Sequence, residues 1–89
     1  MLTLKECVEL SELSQDEVNL IAEHEQIPEI VACELGSELL HSNDGVSQIK
    51  AYMLDCVEHA RRAGDLARAE SLYAIYRRFE ASHPTPKAN

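Results

Sequence analysis

Residues 27–41 read IPEIVACELGSELLH, and the architecture turns on this stretch. Pro28 stands where the first turn of a helix accepts a proline, because the missing N–H has no intrahelical acceptor there. At 100° per residue, Ile27, Ile30, Val31, Ala32, Cys33, Leu35, Leu39 and Leu40 spread over most of the circumference. A helix from Pro28 to about His41 with so little polar surface is expected to lie centrally and to be covered by its neighbours.

Helical spacing recurs on both sides of this segment, whereas alternation of period two does not persist. Upstream, Thr3 followed by Glu6 and Ser14 followed by Glu17 each form a capping-box pattern. The first opens a short helix with Leu4, Cys7 and Val8 turned inward. The second opens a helix to about Gln26 with Val18, Ile21 and Ala22 inward. Downstream, SNDG at 42–45 is a turn with Asp44 as the expected N-cap. A fourth helix then runs to about Ala63 and buries Val46, Ile49, Met53, Cys56 and Ala60. Gly64 is a left-handed stop and Asp65 the next cap, so the fifth helix must fold back antiparallel to the fourth. Its inward residues are expected to be Leu66, Ala69, Leu72, Tyr73, Tyr76 and Phe79. The expected fold is therefore all-α: one small five-helix orthogonal bundle over residues 1–81, with a central apolar helix and a C-terminal antiparallel hairpin. The tail 82–89, SHPTPKAN, is expected to fray.

The chain has 89 residues, 45 % of them hydrophobic and 27 % charged, with three glycines and three prolines. That composition belongs to a packed domain rather than a disordered chain. A domain this small buries a limited share of its surface and is marginal alone, and it has no room for a large substrate cleft. No apolar run approaches the ~20 residues of a membrane span. MLTLKECVEL lacks the pattern of a signal peptide, so a cytoplasmic location is expected. Three widely separated cysteines, Cys7, Cys33 and Cys56, do not make a disulfide framework.

The net charge of −8 is unevenly spread. Residues 1–45 carry one base against eleven acids; residues 46–89 carry seven bases against five. The imbalance permits either head-to-tail association or an intramolecular match.

Few groups carry chemistry. Residues 21–35, IAEHEQIPEIVACEL, resemble a helix-turn-helix, with Ala22 at the small-residue position and Ile27-Pro28 opening the second helix. That second helix presents Glu29, Glu34 and Glu38 and no base, which would repel phosphates, and the turn holds Gln26 instead of glycine. DNA binding through it is not expected. Glu38 and His41 are spaced i, i+3 on one face, with Glu34 a turn earlier; Cys56 and His59 repeat the spacing on the fourth helix. These five are the candidate metal ligands, but a di-iron bundle needs two Glu-x-x-His motifs and only one is present. No zinc-protease motif, nucleophile elbow or phosphate loop occurs, so no catalytic residue or cofactor is assigned. All three cysteines fall on inward faces and read as small hydrophobes.

The segment ARRAGDLARAESLYAIYRRFEASHP, residues 60–84, resembles the turn of a tetratricopeptide repeat in Gly64, Asp65, Ala69 and Tyr73. Met53 stands where such repeats carry a large aromatic, and no second copy follows at a 34-residue offset. The segment IAEHEQIPEIVACELG, residues 21–36, resembles one in small uncharacterised all-helical bacterial proteins of about this length. That resemblance implies a bacterial cytosolic origin and carries no activity with it. The leading expectation is a non-enzymatic interaction or regulatory module that binds a protein partner or itself as a homodimer. Leu54 and Ile75, lying off the inner stripes, and Arg61, Arg62, Arg77 and Arg78 are its candidate contact residues. Metal binding by Glu34, Glu38 and His41 with Cys56 or His59 is one alternative, and binding of a nucleic acid or acidic partner by the arginine-bearing hairpin another.

Overall fold

A computed structural model describes residues 3–84. Both capping boxes form as the spacing predicts. In the second, the Glu17 N–H donates to Ser14 Oγ at 3.2 Å and the Ser14 N–H donates to Glu17 Oε1 at 2.8 Å, satisfying two donors that the helix itself leaves open. Thr3 and Glu6 do the same for α1, Leu4–Ser11, and Ser14 opens α2, Gln15–Glu25. α3 spans Glu29–Leu39, α4 Asn43–Arg62 and α5 Leu66–Ser82. Among the described residues there is no strand, and the fold is a small all-α domain.

α3 stops at Leu39, short of the expected His41, and two further boundaries differ from the sequence reading. Ser42 caps α4 in place of Asp44: its Oγ accepts the Gly45 N–H at 3.0 Å, and Asp44 becomes an acid in the first turn, where the helix dipole favours it. At the other end, α5 runs through Ser82, and the ring of His83 stacks on Phe79 with centroids 4.4 Å apart. The helix thus extends one residue past the expected boundary at 81, and residues 85–89 of the expected tail lie outside the described residues. The α4–α5 connection is as short as expected. The Asp65 N–H reaches back to the Ala60 carbonyl at 3.0 Å, and the Gly64 N–H to that of Arg61 at 3.1 Å, with Gly64 at φ 81°. Such a turn needs a left-handed residue between these bonds, and glycine enters that region without a Cβ clash. Gln26 takes the same conformation at φ 56° after α2, so the turn that lacks a glycine still turns as one.

α3 does occupy the middle of the fold, against α1, α2 and α4. It is not covered all round, however. Only Ala32, Cys33 and Gly36 are buried, Val31 is 44 % exposed, and Ile30, Leu35, Leu39 and Leu40 are half-buried. The largest fully buried side chains are Val18 and Ile21 of α2, Cys33 of α3, Ile49 and Met53 of α4, and Phe79 of α5. The reason lies in the hairpin: α5 packs chiefly on α4 and does not close over α3. The molecule is consequently a slab of 40 × 34 × 18 Å, too thin to wrap any helix completely.

The expected inner faces also need correction on the hairpin. Leu66 is 66 % exposed and Tyr73 43 % exposed, while Ala69, Leu72 and Phe79 alone are buried on α5. Cys56 is half-buried rather than in the core.

Candidate functional site

A groove of about 540 Å³ lies where the end of α2 meets α4 and the start of α5. Glu23, His24 and Gln26 reach it from α2 and its cap, Asp55, Cys56 and His59 from α4, and Arg68 and Leu72 from α5. His24 is held on three sides. Its Nε2 lies 3.1 Å from Asp55 Oδ2, its ring stacks on Tyr52 at 4.4 Å, and its Nδ1 is shielded from solvent without a hydrogen-bond partner, the Glu25 carboxylate being 3.6 Å away. Tyr52 and Asp55 are one turn apart on α4, so a single helix face supplies both supports. Across the groove, Arg68 pairs with Glu23 and joins α5 to α2.

His24, Asp55 and Cys56 have the residue types of a thiol-based catalytic set, but the thiol is poorly suited. Burial, and then the charge of Glu23, push the Cys56 pKa above its ordinary 9.0, with Arg68 opposing. A thiol so placed is protonated at neutral pH and is a weak nucleophile. With His24 Nε2 already engaged by Asp55 and Arg68 paired with Glu23, side-chain contacts join the helices across the groove.

A second, smaller cleft of about 250 Å³ lies between α1 and α3, lined by Cys7, Leu10, Ser11, Glu34, Ser37 and Glu38. The five candidate metal ligands are thus divided. Glu34 and Glu38 line this cleft, His41 lies 3.8 Å from Glu38 at the solvent edge, and Cys56 and His59 line the larger groove. Among the described residues, no three His, Cys, Asp or Glu side chains converge on one point. The i, i+3 spacing placed each pair on one face, but the two faces open into different clefts.

The arginines are mostly occupied. Glu58 binds both Arg61, at 2.6 Å, and Arg62, at 3.1 Å, and these partners hold its carboxyl below the ordinary value. Arg78 lies 3.7 Å from Asp16, a second tie from α5 to α2. Two arginine–carboxylate pairs, Arg68–Glu23 and Arg78–Asp16, thus join the basic half of the chain to the acidic one. Of the candidate contact residues, Leu54 is 41 % exposed, whereas Ile75 is half-buried and packs against the core. Sequence reading missed the His24–Tyr52–Asp55 cluster, whose members lie up to 31 positions apart, and no local pattern marks it.

Compared with known proteins, the chain matches no family model, and neither a curated protein nor a solved structure matches it.

Proposed function

We propose that the chain is a non-enzymatic protein-interaction module of the bacterial cytosol, working through the outer face of the α4–α5 hairpin. The observation that carries this reading is the exposure of Leu66, at 66 %, and Tyr73, at 43 %, on a helix with only three buried residues. Single exposed apolar side chains are ordinary on a protein surface. Two large ones on one helix, with Leu54 exposed on the helix beside it, supply the apolar and aromatic contact that interface centres use. The cytosolic placement draws support from the odd, dispersed cysteines and from residues 21–36. The alternatives draw less support: the metal-ligand candidates open into separate clefts, and four of the five arginines are engaged by acids. A phosphate-binding surface needs such bases uncommitted.

A photo-crosslinking residue placed singly at Leu54, Leu66 and Tyr73, with Glu29 as an exposed control, tests the reading in cells. Adducts of discrete mass are expected from Leu66 and Tyr73 and none from Glu29. No discrete adduct from any of the three apolar positions removes the proposal.

A further inference from the structure

We infer that the partner of α5 is a second copy of this chain, lying antiparallel across it about a two-fold axis between Tyr73 and Ala74. This rests on the interaction-module reading and names its occupant. Leu66, Glu70, Tyr73, Arg77 and Ala81 follow one another at steps of four, three, four and four residues, which sets them on one helix face. All five are exposed. Arg68 and Arg78, the residues that tie α5 to α2, lie on the other flank, so that tie leaves this face open. Tyr73 is held along the helix by stacking on Tyr76, with ring centroids 5.7 Å apart, and Tyr76 in turn donates its hydroxyl proton to Glu80 at 2.8 Å.

The charges on the face select the occupant. Within the described residues, Glu70 and Arg77 have no ion-pair partner, although every other arginine does. They are seven positions apart, about 10.5 Å of helix rise, too far to reach each other on one helix. Turned about the two-fold axis, Glu70 of each copy meets Arg77 of the other, so one operation satisfies both pairs. The same operation sets Leu66 over the small Ala81 and Tyr73 against Ala74, a large residue facing a small one each time. A parallel arrangement would place Glu70 on Glu70 and Arg77 on Arg77, which like-charge repulsion opposes. The face is therefore complementary to itself in one direction only.

Sedimentation equilibrium of the full chain, from about 1 to about 200 µM, is expected to show the mass rising from 10.0 kDa toward twice that. Glu70→Arg or Arg77→Glu alone should weaken the dimer at least ~10-fold by placing like charges together. The double variant E70R/R77E should restore it, and the two single variants mixed should pair with each other in preference to themselves. Circular dichroism checks that each variant is folded, which the exposure of both positions favours. A dimer indifferent to these reversals overturns the assigned face. A strict monomer, with crosslinks from Tyr73 to a different protein, overturns the second copy and leaves the module reading standing; a strict monomer without crosslinks overturns both.

Discussion

Cys7 and Cys33 meet where α1 lies on α3. A hydrogen bond between them, ahead of burial and of the charges of Cys33 and Glu34, pushes the Cys7 pKa up from 9.0 to about 11. At pH 8 such a thiol is about 0.1 % thiolate, and Cys56 is also raised, so alkylation of the folded protein at these two positions should be slow. Urea should release it, and rapid labelling of native Cys7 at pH 8 would contradict the assignment. The linkage has a definite sign. Between about pH 9 and pH 11 the unfolded chain has lost the Cys7 proton while the folded chain keeps it. The unfolded state then binds fewer protons, so stability falls as pH rises through that window. Cys7→Ser cannot titrate there, and its urea midpoint should decline less between pH 8 and pH 10.5 than that of the unaltered chain. Equal declines would show that the thiol is not responsible.

At the scale of elements, the α3–α4 corner is the tightest joint. A Cβ built on Gly45 would lie 1.9 Å from the Leu39 carbonyl oxygen, a backbone atom that cannot swing aside. Gly45→Ala should therefore cost about 3 kcal/mol, as forced overpacking does, with the loss read from a urea titration. Gly64→Ala meets no neighbour and should cost only the strain of its positive φ, about 1 kcal/mol. The sequence placed Gly45 in a turn and so foresaw a glycine there for the wrong cause. Helix starts and stops were legible because caps act within three or four residues, as at Thr3, Ser14 and Gly64. Ser42 and Asp44 are both good N-caps, and only the path of the chain past Leu39 decides between them. Tyr73 was assigned inward by periodicity, which measures a stripe's direction but not whether a neighbour covers its full width. The His24–Asp55 contact was illegible for a related reason: it depends on how α2 docks against α4.

For the whole molecule, thinness is the governing property. An 18 Å slab gives each helix one covered side, and α5 is held by Ala69, Leu72 and Phe79, with ion pairs to α2 at Glu23 and Asp16. Those pairs are solvent-exposed and contribute little, so the attachment rests on the buried apolar side chains, of which Phe79 is the largest. Phe79→Ala should cost about 3–5 kcal/mol, which is a large part of the roughly 5–15 kcal/mol that a small domain commands. Because α5 packs chiefly on α4, the loss should appear first as detachment of one helix. Amide hydrogen exchange should then accelerate across residues 66–82 while the amides of α2 and of the first half of α4 stay protected. Sedimentation of the same variant should show the dimer lost with the helix that forms it. Uniform acceleration through all five helices would mean that α5 is an inseparable part of the core, and that the outward face it presents is fixed by the fold as a whole rather than by its seat on α4.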